Sequence, residues 1–150
     1  MNKVAREDKG SYILLLELPR EQTITIGKLS HINFFEGYYA YVGSALNGLN
    51  SRINRHLRRD KKIHWHIDYL LQKAYISSII IYLTNDRIEC KIAQALNQNL
   101  NYIPGFGSSD CHCRSHLFFN PSEMESNIIE ITESQGMMPK LIQVKAELTK

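Results

Sequence analysis

The sequence predicts a small α/β (α+β) sandwich: a central, mostly antiparallel three-stranded sheet flanked by helices, in the order β-β-α-α-β-α, plus a C-terminal extension. Residues 10–19 are mostly apolar on both faces of a period-two pattern, which is typical of a central strand covered by layers on both sides. Residues 49–59 and 85–99 repeat apolar side chains every three or four positions, as amphipathic helices do.

Proline and glycine residues mark the ends of several of the predicted strands. The first strand stops at Pro19, and a short alternating segment, Thr23–Gly27, fits an edge strand or the start of a loop. The second main strand is predicted over Ile32–Gly43, with a bulge at Gly37. The third is Tyr75–Leu83.

The helices are predicted over Leu49–Arg59, His66–Gln72 and Asn85–Asn99. Asn101–Ser109 contains one proline and two glycines and fits a loop, and Cys113–Asn120 fits a short last strand.

Two regions are expected along the chain: a domain over residues 1–120 and an acidic extension over residues 121–150. The extension contains one β-like run, IIEIT, and one helical run, KLIQVKAELTK. The sequence alone does not place either run on the fold.

Length and composition narrow the class of protein. A chain of 150 residues with 43% hydrophobic residues can bury a core as one domain. No apolar run reaches the length of a membrane span, and the first ten residues lack the apolar stretch of a secretory signal. Three cysteines, two of them at 111 and 113, argue against a disulfide scaffold. We therefore expect a cytoplasmic protein without a membrane partner.

Positive charge is concentrated in one stretch. The net charge is +3 overall, and between Arg52 and Lys62 six basic residues accompany one acid, Asp60. Such density favours a polyanionic partner, although a solvated helix face is the alternative. The candidates for contacts to a nucleic-acid backbone are Arg55, Arg59, Lys61, Lys62 and His64.

The stretch from Gly37 to Arg59 joins two kinds of surface. Tyr39, Tyr41 and Gly43 alternate along a strand and share one face. On the helix that follows, basic residues form a stripe beside the apolar one. A tyrosine face that leads into a cationic helix suits an anionic phosphate.

These residues resemble the GIY-YIG endonuclease superfamily, in particular its compact stand-alone members. The two signature motifs correspond to Gly10-Ser11-Tyr12 and Tyr41-Val42-Gly43, followed in order by Arg52, His56 and Glu89. The resemblance covers roughly residues 10–102, and it departs from the family pattern at Ser11, at His56, where many relatives have tyrosine, and at Asn101, which matches only loosely.

The resemblance implies hydrolysis of DNA phosphodiester bonds with Mg²⁺ or Mn²⁺, in DNA repair or recombination. In such a site Glu89 would hold the metal ion, Arg52 would bind the phosphate and Tyr12 would hold the water or the phosphate. The family pattern makes Tyr41 the base. Physical reasoning favours His56 instead, because the reference pKa of tyrosine is about 10 and that of histidine about 6.5. Both assignments stay open at this point.

Other roles are open for several of these residues. Glu89 also fits a capping box with Asp86. His64, His66 and Asp68 suggest a metal site, but the two histidines would point apart on a helix, so structural roles or contacts to DNA are favoured.

The set Cys90, Cys111, His112, Cys113 and His116 suggests zinc. The spacing lacks the usual ligand pairs and Cys90 falls inside a predicted helix, so zinc is not expected. The segment around Asp110 and His116 is instead expected to fold back beside the active face.

Two further functions therefore remain besides an endonuclease: a nucleic-acid-binding module that does not cleave, and a zinc-stabilised interaction domain. A domain of this size has little room for separate recognition elements. We expect shape-directed or weakly specific action, with a protein partner or a homodimer as the way to add specificity.

Overall fold

The computed structural model describes the backbone of residues 8–108 and 111–143. It has the following elements in chain order: β1 Gly10–Leu18, β2 Gln22–Thr25, β3 His31–Phe34, β4 Gly37–Ala45, α1 Leu49–Leu57, α2 His66–Leu70, β5 Tyr75–Leu83, α3 Glu89–Asn97, β6 Asn101–Tyr102, β7 Leu117–Asn120, α4 Glu125–Ser134 and β8 Lys140–Gln143. No helix of the described ranges is long and apolar enough to cross a membrane.

The main sheet has six strands in the order β6-β7-β4-β1-β5-β8, and each neighbouring pair is antiparallel. The predicted mixed α and β class is confirmed, and the three predicted main strands form the centre of the sheet. The expected strand number was wrong, because β6, β7 and β8 extend the sheet at both edges. A separate hairpin pairs β2 with β3.

The sheet is covered on both faces, as the apolar character of β1 on both sides predicts. On one face Tyr12, Leu14 and Leu16 pack with residues of α1, α2 and the hairpin. On the other face Ile13 and Leu15 pack with residues of α3 and α4. The apolar side chains of β1 are thereby buried on both faces of the sheet, whereas Glu17 near the end of the strand is partly exposed.

The second predicted strand is divided in two. Gly37 has φ +148°, a conformation that L side chains rarely adopt, and it begins β4 after the break that follows β3. Tyr39 and Tyr41 then face the α1 side of the sheet, while Ala40 and Val42 face the α3 side.

Several helix bounds differ from the sequence prediction. The helix α1 ends at Leu57, and Arg58 is extended. The ammonium of Lys61 donates to the carbonyls of His56 and Arg58 at this end of the helix. The helix α2 ends at Leu70 rather than Gln72, in a series of turns.

The helix α3 begins at Glu89 instead of Asn85. The preceding turn is held by the Thr84 hydroxyl, which accepts a hydrogen bond from the backbone N–H of Asp86. A threonine side chain that binds the backbone locally competes with helix formation.

Both expectations for the C-terminal runs were wrong where the structure describes them. The β-like IIEIT lies in α4, because Met124, Ile128 and Thr132 are buried at a spacing of four residues. The start of the helical run forms β8, which pairs with β5. Its remainder lies outside the described residues.

Candidate functional site

An open cleft lies where β1 and β4 approach α1, the start of α3, and Gly107, Cys111 and His116. Its volume is about 420 Å³, within the roughly 300–1,000 Å³ of sites that hold small ligands. The five side chains that the sequence predicts as catalytic all line this cleft: Tyr12, Tyr41, Arg52, His56 and Glu89.

Tyr12 and His56 form the buried pair of the cleft. Only 1% of Tyr12 and 3% of His56 is exposed, and the Tyr12 Oη lies 2.6 Å from the His56 Nε2. Gly43 is the partner of Tyr12 in the β1–β4 register. A Cβ at position 43 would lie 2.4 Å from Tyr12 Cζ and Oη, so the tyrosine ring requires glycine there.

The imidazole of His56 is neutral at pH 7. Burial, assisted by the positive charge of Lys61, lowers the pKa of His56 to about 3. Its Nδ1 is buried and has no hydrogen-bond partner among the described residues, whereas Nε2 faces Tyr12. Any proton that His56 exchanges with the cleft therefore passes through the Tyr12 hydroxyl. Burial raises the pKa of Tyr12, and the Arg52 guanidinium opposes that rise.

Tyr41 forms a wall of the cleft. Its ring packs edge-on against Phe106 with centroids 6.3 Å apart. It also contacts Gly107, where a Cβ would lie 3.1 Å from the ring and where φ is +71°. Burial raises the pKa of Tyr41 well above its usual value, so its hydroxyl is protonated at neutral pH.

Arg52 is held in place by two contacts. Its guanidinium donates to the carbonyl of Ser44 at 2.9 Å and stacks on the Trp65 ring, 4.6 Å from the centroid. A guanidinium stacked on an aromatic ring keeps its planar fork in one orientation. The cation therefore lies beside Tyr12 in an orientation fixed before any ligand binds.

The guanidinium of Arg55 is engaged inside the fold, whereas a contact to DNA would need it exposed to solvent. It forms two hydrogen bonds of 2.9 Å with the buried carboxylate of Asp68 and also stacks on Trp65. Burial tends to raise the pKa of Asp68, but the hydrogen bonds from Arg55 and from two backbone N–H groups lower it to about 2. In the structure Arg55 thus fixes α1 to the start of α2.

The other predicted nucleic-acid contacts lie beyond the end of α1 and form no continuous stripe with it. Arg59, Lys62 and His64 are exposed, whereas Lys61 is half-buried and is bound to backbone carbonyls. His56, which the helical spacing places beside these cations, faces inward to Tyr12.

His66 and Asp68 have structural roles, which the sequence analysis favoured over a metal site with His64. His66 Nδ1 accepts a hydrogen bond from the Gly107 N–H at 2.9 Å. Asp68 accepts hydrogen bonds from the backbone N–H groups of His64 and Trp65. Among the described residues, no metal-ligand cluster includes these side chains.

Glu89 is the first residue of α3, and its side chain is 27% exposed. Its Oε2 lies 3.5 Å from His116 Nδ1. The residue preceding the helix is Ile88, and no side chain caps this end, so the capping box with Asp86 is absent. Burial lowers the pKa of His116, but the neighbouring carboxylate outweighs this effect and the pKa is raised.

Next to Glu89, and partly lining the same cleft, lies a cluster of possible metal ligands: Cys90, Cys111, Cys113 and His116. One ligand atom of each lies within 4.8 Å of those of the others, and the four residues could hold a metal ion. The two reasons for not expecting zinc do not hold, because Cys90 lies in the first turn of α3 and the fold supplies the proximity that the spacing lacks. Asp110, which the sequence places in the same segment as His116, lies outside the described residues.

Sequence reasoning missed Trp65 and Arg87 as lining residues of the cleft. Trp65 carried a usable signal, since it is the one tryptophan of the chain and stands close to the basic stretch. Aromatic rings beside arginines commonly form cation–π contacts. Arg87 carried no such signal.

Comparisons with known proteins add one finding. Neither curated proteins nor solved structures gave a match to this chain. One family model, described as "Domain of unknown function DUF123", matches residues 11–137. Because that match covers most of the chain, including the four helices, all the residues of the cleft described above and every strand of the sheet except β8, the chain belongs to the DUF123 family.

Proposed function

We propose that this protein is a metal-dependent endonuclease that hydrolyses DNA phosphodiester bonds. The observation that carries the proposal is the convergence of Tyr12, Tyr41, Arg52, His56 and Glu89 on one open cleft. Their order along the chain resembles the GIY-YIG endonucleases, and their spatial grouping supplies a cation, a carboxylate and hydroxyl groups around one space. Those are the groups that phosphodiester hydrolysis needs.

A divalent ion fits the donor set of the cleft. Glu89 is a partly exposed carboxylate, and only its Oε2 faces His116. Mg²⁺ is commonly held by one or two carboxylates together with water and substrate oxygens, so Glu89 would hold Mg²⁺ or Mn²⁺. When bound, such an ion polarises the phosphate and lowers the pKa of bound water.

Arg52 binds the scissile phosphate in this proposal. The stacking on Trp65 and the hydrogen bond to Ser44 orient its guanidinium towards the cleft before substrate enters. Arginine matches phosphate oxygens with two parallel N–H donors. Its charge stabilises the additional negative charge that develops on the phosphate oxygens in the transition state.

The Tyr12–His56 pair takes the proton from the attacking water. Water gives a proton to Tyr12 Oη while Tyr12 passes its own proton to His56 Nε2 over the 2.6 Å contact. The water oxygen bonds to phosphorus and the bond to the leaving oxygen breaks. The leaving oxygen then takes a proton from Tyr12 Oη, and His56 Nε2 returns its proton to Tyr12. An anionic phosphate in the cleft raises the pKa of His56 from its low value and favours this transfer.

Of the two bases left open by the sequence, the geometry favours His56 acting through Tyr12. The ring contacts of Tyr41 are with Phe106 and His56, and burial raises its pKa. Tyr41 can orient the water or a phosphate oxygen through its hydroxyl. The exposed Arg59, Lys62 and His64 contact the DNA backbone beyond the cleft.

A nicking assay tests the proposal. Supercoiled plasmid and branched DNA are incubated with the protein and Mg²⁺ or Mn²⁺. Arg52→Ala is expected to reduce the rate by about 10²–10³, as loss of one charge-stabilising donor does, and Glu89→Gln by at least as much. Arg20→Ala and Glu36→Gln, at exposed positions outside the cleft, are the matched controls and should retain the wild-type rate.

A second function is favoured by one observation. Burial keeps Tyr12 and Tyr41 protonated and His56 neutral, so the cleft has no strong base before ligand and metal enter. A nucleic-acid-binding module that does not cleave would show the same features. DNA binding without cleavage in either metal, by wild type and controls alike, would refute the endonuclease and support this module.

A further inference from the structure

We infer that Cys90, Cys111, Cys113 and His116 bind one structural Zn²⁺ ion. One donor atom of each residue lies within 4.8 Å of the other three. A tetrahedral zinc site with three sulfurs and one nitrogen is among the common structural types. The inference rests on the positions of these four side chains and is independent of any activity at the cleft.

The distances suit zinc. Zn–S and Zn–N bonds of about 2.3 and 2.0–2.1 Å place sulfur and nitrogen ligands of a tetrahedral site about 3.6 Å apart. His116 Nε2 lies 3.4 Å from Cys111 Sγ, close to that separation. The same bond lengths require the sulfur atoms of such a site to lie about 3.8 Å apart. The donor atoms of the cluster lie within 4.8 Å of one another, so small rotations of the three thiols would bring the sulfur atoms to that spacing.

The chain around the cluster gives the ion a structural task. The connection between β6 and β7 spans residues 103–116 and contains no described helix or strand. Connections this long within a compact domain are uncommon without a function or a fixing element. Three of the four ligands lie on this connection and the fourth, Cys90, is on α3, so one ion would attach the connection to the helix.

The orientation of the His116 ring agrees with a metal ion bound to its Nε2. Its Nδ1 is buried, and no hydrogen-bond partner satisfies it at standard geometry among the described residues. The carboxylate oxygen that faces it is Glu89 Oε2, at 3.5 Å. Zinc-bound histidines usually donate their second N–H to a carboxylate or carbonyl, which fixes the tautomer. With zinc on Nε2, the Nδ1–H would donate to Glu89.

This contact couples the zinc site to the cleft, a consequence that rests on the proposed function. A carboxylate held by His116 through Oε2 keeps its other oxygen for Mg²⁺. The zinc ion would then determine the orientation of the carboxylate on which cleavage depends, although it takes no part in the reaction.

Metal content of the full-length protein tests the inference. Protein purified without chelator is expected to contain one zinc per chain by elemental analysis. Replacement by Co²⁺ should give the strong visible bands of tetrahedral cobalt and thiolate charge-transfer absorption. Cys113→Ser should lose the bound zinc, whereas His112→Ala, an exposed neighbour in the same connection, should retain it. Glu89→Gln should weaken zinc binding by roughly 10–100-fold, as loss of a partner to a ligating histidine does.

Two results would overturn the inference. Wild-type protein that remains free of zinc after incubation with Zn²⁺, with three titratable thiols, would show that the cluster binds no ion. Loss of two thiols under non-reducing conditions would show a disulfide instead. Both measurements use the wild type, so they hold even if Cys113→Ser fails to fold. Zinc-loaded protein that cleaves no DNA would refute the endonuclease and leave the zinc site standing.

Discussion

Replacement of Asp68 by asparagine should destabilise the fold substantially at neutral pH. The carboxylate of Asp68 is fully buried and forms two hydrogen bonds with Arg55 and two with backbone N–H groups. Asparagine keeps the shape but removes the charge and one acceptor oxygen. It therefore leaves the Arg55 guanidinium without its counter-ion.

The expected loss follows from the pKa of Asp68. A fall from the usual 3.8 to about 2 corresponds to about 2 kcal/mol at 1.36 kcal/mol per unit. Removing one partner of a buried ion pair costs about 3–5 kcal/mol. Because Arg55 retains 20% exposure and its stacking on Trp65, we expect Asp68→Asn to lower the free energy of unfolding by about 2–3 kcal/mol, near the pKa-based value.

Urea unfolding at several pH values measures this loss. The folded-state pKa lies below the unfolded one, so this contribution is present above about pH 4 and disappears as pH falls towards 2. Wild type and Asp68→Asn should therefore differ at pH 7 and converge in acid. The exposed Asp86→Asn is the control and should change stability by less than about 0.5 kcal/mol. Equal stability of Asp68→Asn and wild type at pH 7, or a difference that persists unchanged at pH 2, would refute the reasoning.

Two further predictions concern the cleft and its basic border. Gly43→Ala should cost about 1–3 kcal/mol of stability by overpacking, because the new Cβ would lie 2.4 Å from the ring of Tyr12. Thermal unfolding measures this loss of stability, and the control Ser44→Ala should stay close to wild type. Arg59→Ala should weaken DNA binding and reduce the slope of log K against log salt by about 0.9, as measured by fluorescence anisotropy, and an unchanged slope would mean that Arg59 does not contact DNA.

Local patterns in the sequence were sufficient for the centre of the fold. The period-two pattern of β1 and the helical spacing of α1 depend only on which positions of each element are apolar. Those positions are close together in the chain, so the sequence shows the pattern directly. The same patterns placed Tyr41 on one face of its strand with Tyr39 and Gly43, and they placed Arg52 on the helix that follows. Predicting the five candidate catalytic residues, which all line the cleft, needed their order along the chain together with a family resemblance.

The tertiary structure decided what each side chain contacts. Arg55 belongs to a basic stretch by sequence, but the packing of α2 against α1 pairs it with Asp68. The IIEIT run has strand-forming residues, yet burial against α3 makes it helical. Cys90 and His116 become neighbours only when the connection before β7 folds back onto α3. Such contacts join positions far apart in the chain, where local periodicity carries no information about the partner.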